Sequence, residues 1–107
     1  MPVREVTLRY FDGCPNWKIT DGRIHDALQQ TGLAGSVTVT YEKVETPEDA
    51  ERLGFTGSPT VLVDGVDPWD PGGGSTGLSC RFYRTEDGPQ GSPTTDQLVQ
   101  ALQLAGG

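Results

Sequence analysis

The chain reads as an α/β domain built on a mixed sheet, and three observations carry that reading. Two stretches in the first half alternate apolar and polar residues with a period of two, as half-buried strands do. A segment with helical spacing lies between them, so those two strands must run parallel, with a right-handed crossover. Further on, Thr60-Val61-Leu62-Val63 is a near-continuous apolar run that suits a strand buried on both faces.

In the first strand Val6, Leu8 and Tyr10 alternate with Thr7, Arg9 and Phe11. The helix that follows spans about Pro15 to Thr31, with Ile24, Ala27, Leu28 and Thr31 on one face and Gly32 as its stop. Gly22 inside it costs about 1 kcal/mol relative to alanine. Val37, Val39 and Tyr41 alternate with Thr38, Thr40 and Glu42 in the second strand. Thr46-Pro47-Glu48-Asp49 then starts a short helix: a threonine cap, a proline at the first position and acids in the first turn. Ala50 and Leu53 form its inner face and Gly54 ends it.

After the third strand, Asp64-Gly65 signals a turn. Residues Val66 to Ser79 form a long glycine- and proline-rich loop, a feature that in small domains usually serves function or motion. Arg81 to Arg84 reads as a fourth strand with Phe82 and Tyr83 on opposite faces, and Glu86 to Pro93 as another loop. Thr95-Asp96 caps a final helix whose Leu98, Val99, Leu102 and Ala105 face inward, with Gly106-Gly107 fraying.

Composition narrows the function. The 107 residues suffice for one domain with one core. A formal charge of −7 argues against nucleic acid and anionic membrane surfaces as partners. No apolar run approaches the ~20 residues that span a bilayer, and the N-terminus lacks the apolar run of a secretory signal, so a cytoplasmic location is expected. Two cysteines in such a chain point to reactivity or soft-metal binding sooner than to a structural disulfide framework. The single His25, mid-helix beside Asp26, is expected to face solvent and cannot form a metal site alone. No phosphate loop, metal-ligand spacing or Ser-His-Asp order is visible, and no cofactor is expected.

The segment Tyr10 to Trp17, Y-F-D-G-C-P-N-W, carries the chemistry. A strand ends at Phe11, Asp12-Gly13 turns the chain, and Cys14 stands at the mouth of a helix. The unpaired N–H groups of a first helical turn favour thiolate over thiol. Pro15 suits that turn because its missing N–H has no partner to lose.

Taken with the element order and with Gly54-Phe55-Thr56-Gly57-Ser58-Pro59-Thr60, this unit resembles the thioredoxin-like superfamily. The resemblance implies a four-stranded mixed sheet of order 2-1-3-4 with helices on both faces. It also implies a cis Pro59 facing Cys14, with Ser58 offering backbone groups to an extended substrate or a thiol adduct. Thioredoxin-like redox enzymes usually carry a second cysteine three residues after the first, and here Trp17 stands at that position. A narrower likeness joins F-D-G-C-P, G-S-P-T and Cys80-Arg81-Phe82-Tyr83 to small bacterial thioredoxin-like proteins, some of which carry an alkylmercury lyase label.

Three fates of Cys14 follow: monothiol chemistry with a small thiol as second substrate, pairing with Cys80, or loss of redox function with the fold retained. In the implied fold Cys80 opens the fourth strand at the far end of the sheet, about 10–13 Å from Cys14 at ~3.3 Å per residue. A disulfide needs Cα atoms within about 7 Å, so pairing requires the glycine-rich loop to fold back. Trp17 either shields Cys14 or packs under the loop, and Trp69 is a candidate lid. Lys18 and Arg81 would lower a nearby thiol pKa, and Asp12 would raise it.

The function expected is therefore thiol-based redox chemistry at Cys14, of a monothiol oxidoreductase kind, on a thiol or disulfide substrate. Pro15, Trp17, Ser58, Pro59 and Trp69 would shape the substrate site. Two alternatives remain open: a soft-metal or organomercurial binder using Cys14 with Cys80, and a non-catalytic interaction domain.

Overall fold

A computed structural model describes residues 3–69 and 76–106. In chain order the elements are β1 (Glu5–Tyr10), α1 (Asn16–Gln30), β2 (Thr38–Lys43), α2 (Pro47–Leu53), β3 (Thr60–Val63), β4 (Tyr83–Thr85), β5 (Gly88–Gln90) and α3 (Thr95–Gly106). The sheet has three strands in the order β2-β1-β3, with β1 parallel to β2 and antiparallel to β3.

Register explains the core. Val6 lies opposite Val39 and Val63, and Leu8 opposite Tyr41 and Val61, so side chains of one parity form a continuous apolar face. Ile24, Ala27 and Leu28 of α1 and Leu98 and Leu102 of α3 pack onto it. Each large aliphatic side chain buried there contributes about 1.5–3 kcal/mol. A second, smaller core joins Val44, Ala50 and Phe55, with Phe11, Leu53 and Leu78 at its margin. Arg9 points away from the main core, pairs with Glu42 at 2.8 Å and donates to the Leu53 carbonyl at 3.1 Å, so α2 ends beside the opposite face.

The helix ends obey their local chemistry. Thr46 Oγ1 accepts from the Asp49 N–H at 3.0 Å, Pro47 opens α2, and Gly54 closes it with φ 67°, a left-handed conformation that glycine adopts freely. For α3 the cap is Thr94, one residue before the expected one. Its Oγ1 accepts from the Gln97 N–H while Gln97 Oε1 accepts from the Thr94 N–H, a reciprocal capping box. The inner face of α3 includes Ala101, whereas Ala105 is exposed. Thr31 turns its hydroxyl back to the Ala27 and Leu28 carbonyls, closing α1 instead of entering the core. Gly106 still belongs to α3, and Gly107 lies outside the described residues.

The expected four-stranded sheet of order 2-1-3-4 is not what forms. β4 pairs with β5 in a separate antiparallel hairpin. Two features account for this. Single bridges close the outer edge of β3 at both ends, Val63 to Val66 and Ser58 to Cys80. The stretch read as a loop also contains its own turn: the Asp87 N–H donates to Thr85 Oγ1, which donates to the Gly88 carbonyl, and Gly88 takes φ 92°. The opposite facing of Phe82 and Tyr83 does hold, at 70% and 3% exposure.

Candidate redox site

Cys14 reaches its place through the turn that ends β1. Its N–H donates to the Phe11 carbonyl at 3.2 Å, and Pro15 forms the N-cap of α1 with φ −73°. No acidic side chain occupies the first turn of α1, so nothing there offsets the partial positive charge of the helix end. Cys14 is fully buried. Asp12, expected to oppose a thiolate, is engaged at 2.7 Å by Lys43, whose pKa it raises through that hydrogen bond.

The Ser58–Pro59 peptide bond is cis, and both residues are buried. The Ser58 N–H donates to the Ser79 carbonyl, and its own carbonyl accepts from the Arg81 N–H, each at 2.8 Å. Cys80 lies between those two bonds. It is disulfide-bonded to Cys14, with Cα atoms 5.9 Å apart and 66 residues between them in sequence.

The expected separation of 10–13 Å therefore does not hold. Residue 80 does not begin a strand at the far end of the sheet. Instead the chain has already returned by Ser79 and runs parallel to Ser58 at the near end of β3. Residues 70–75, the glycine-rich centre of that long loop, lie outside the described residues.

Arg81 fixes the bridging segment. Only 8% exposed, it contacts Asp67 through two nitrogens at 2.6 and 3.3 Å, donates to the Trp69 carbonyl, lies 3.4 Å from Thr60 Oγ1 and sits 4.7 Å over the Tyr83 ring. Tyr83 donates its hydroxyl to the Pro59 carbonyl, and burial raises its pKa, which keeps it a donor. At Gly57, φ 144°, an added Cβ would come within 2.8 Å of Arg81 Cβ, so the backbone there approaches Arg81 as only glycine permits. Arg81 thus acts as an anchor beside Cys80 and spends its charge on Asp67.

Both tryptophans are engaged by tyrosine rings. Trp17 stacks on Tyr10 with ring centroids 4.2 Å apart and planes at 25°, and rests against the main core. Trp69 meets Tyr83 edge-on at 5.6 Å and also borders the core. Pro15 is exposed at the start of α1. His25 stays exposed, 3.2 Å from Asp21. Tyr41, hydrogen-bonded to the same Asp21, has its pKa pushed up to about 12 by partial burial and that carboxylate.

Two contributors were not singled out from the sequence. Asp67 completes the Arg81 anchor. Asn16 donates its side-chain amide to Cys14 Sγ at 3.7 Å, and a side chain on Gly91 would overlap that amide. Asn16 was legible only as a residue two past a cysteine at a helix mouth. Cys14 Sγ also lies 3.6 Å from the Ser58 carbonyl oxygen, while Ser58 Oγ is buried without a partner among the described residues.

The arrangement couples a buried sulfur, surrounded by hydrogen-bonding groups, to an exposed one. Among the described residues no cluster of three or more His, Cys, Asp or Glu is placed to hold a metal ion, and no helix is long and apolar enough to cross a membrane. Comparison with known protein families and with curated proteins returned no match.

Proposed function

We propose that the chain is a thioredoxin-like thiol–disulfide exchange protein whose Cys14 and Cys80 form the working pair, Cys80 supplying the second sulfur that position 17 lacks. One observation carries this reading: Cys14 stands at the start of α1, beside the cis Ser58–Pro59 bond, and is bonded to Cys80. The parallel β1-α1-β2 unit followed by an antiparallel β3 supports the resemblance in fold. The substrate class is a thiol or disulfide, of a protein or of a small molecule. A disulfide that opens and closes in catalysis suits a cytoplasmic protein, since in that compartment lasting structural disulfides are rare.

The test is equilibration of the full chain in glutathione redox buffers, followed by alkylation and mass measurement, with reduction of a small disulfide as the activity readout. Reversible two-electron interconversion is expected, with activity lost in Cys14→Ser. Undiminished activity in Cys14→Ser, or cysteines that ignore the buffer, would overturn the reading.

The adjacency of the two sulfurs also favours a second reading, capture of a two-coordinate soft cation by the reduced pair. One equivalent of cuprous or mercuric ion held by the reduced protein, and lost when either cysteine becomes serine, is its expected signature.

A further inference from the structure

We infer that the disulfide is opened at Cys80, and that Asn16 is the positioning residue for the thiolate that leaves on Cys14. This rests on the exchange reading above and assigns roles within it. A nucleophile must reach sulfur from solvent. Cys14 is fully buried, while Cys80 is exposed in a segment pinned on one side by Arg81 and on the other by the Ser58 bridge.

Exchange proceeds by two displacements at sulfur. A low-molecular-weight thiolate attacks Cys80 Sγ, the Cys80–Cys14 bond breaks, and its electron pair leaves on Cys14 Sγ. A mixed disulfide then joins the small thiol to Cys80. A second small thiolate attacks the small-molecule sulfur of that adduct, releasing the small disulfide and a Cys80 thiolate. The two protons of the small thiols pass to the two protein sulfurs or to solvent. Two thiols are oxidised and one protein disulfide is reduced.

Departure is faster when the leaving thiolate is stabilised. At Cys14 the stabilising groups are the first turn of α1, which carries no acid, and the Asn16 amide 3.7 Å from the sulfur, and they act against the Ser58 carbonyl oxygen at 3.6 Å. The neighbouring chain leaves room for that amide by placing Gly91 against it, where a Cβ would collide. Asn16 thus does more than begin a helix. It turns its side chain back onto the sulfur, and a second element of the fold is shaped to accept it there.

The first experiment treats the oxidised full-length protein with limiting glutathione, quenches in acid, alkylates free thiols and maps the peptides. Glutathione on Cys80 with alkylated Cys14 is expected, and glutathione on Cys14 overturns the inference. The second follows thiolate absorbance against pH in the reduced Cys80→Ser protein. Asn16→Ala is expected to raise the Cys14 pKa by about half to one unit, the scale of a typical intramolecular hydrogen bond. Gly91→Ala, which retains Asn16 but displaces it, should shift it in the same direction. In the cysteine-intact protein Asn16→Ala should slow opening about two- to threefold. An unchanged Cys14 pKa in Asn16→Ala overturns the positioning role. Exchange that proceeds through Cys14 adducts would sink this inference alone, whereas absence of any exchange would sink the exchange reading with it.

Discussion

Reduction of the Cys14–Cys80 bond is expected to destabilise the fold by about 4.3 kcal/mol. The value follows from placing the sequence separation of 66 residues in the loop-closure entropy relation at 25 °C. The bond mainly restricts the unfolded chain, so its effect belongs to the denatured state and not to contacts in the native one. For a chain of this length that corresponds to a fall in Tm of roughly 20 °C. A thermodynamic cycle carries the same energy into the redox equilibrium: folding should favour the disulfide over the dithiol by about 90 mV relative to the unfolded chain. The assay is denaturant unfolding followed by tryptophan fluorescence, on oxidised protein, on protein held in a phosphine reductant, and on Cys80→Ser as the permanently open reference. Trp69 reports the region beside the bond through its contact with Tyr83. Oxidised and reduced proteins that differ by less than about 1 kcal/mol would refute the loop-closure reasoning, as would a Cys80→Ser protein as stable as the oxidised one.

Arg81→Ala should lower stability by about 3–5 kcal/mol in denaturant unfolding, because it strands the largely buried Asp67 carboxylate, and Asp67→Asn combined with Arg81→Met should recover much of the loss. Phe55→Ala, at the centre of the smaller core, should cost about 3–5 kcal/mol with an unchanged denaturant slope. Asp64, at φ 50°, accepts from the Glu5 and Arg4 N–H groups, which lower its pKa, so its charge contributes stability above the ordinary carboxylate range that is lost as pH falls through the depressed value. Asp64→Asn, which tolerates that backbone, should therefore be less stable than the parent at neutral pH and converge with it in acid titration below about pH 4.

What could be read from the sequence was what local patterning dictates. Alternation marked β1 and β2, the apolar run marked β3, and Thr46-Pro47 with Gly54 bounded α2. The α3 cap was placed one residue late, because Thr95-Asp96 gives a competing signal beside Thr94 and Gln97, which stand three apart and form the box. The hairpin was not legible, because Tyr83 to Gln90 holds two three-residue strands of mostly polar residues with no apolar period. Nor was the position of Cys80, which depends on how residues 64–79 travel and on a buried Arg81–Asp67 pair that no spacing rule announces. The chemistry of Cys14 could be inferred from its own neighbours. Its partner could be found only once the path of the chain was known.

The bond between Cys14 and Cys80 closes a covalent ring that contains α1, β2, α2 and β3 but leaves β1 outside. Yet β1 is the middle strand, held between two strands that belong to the ring. A single cut anywhere within the ring would therefore leave the oxidised molecule in one covalent piece, and only reduction would part the fragments. A cut between Tyr10 and Cys14 behaves oppositely: it frees the central strand from every covalent tie in either redox state. The core would then depend on hydrogen bonds and packing alone to retain its own middle.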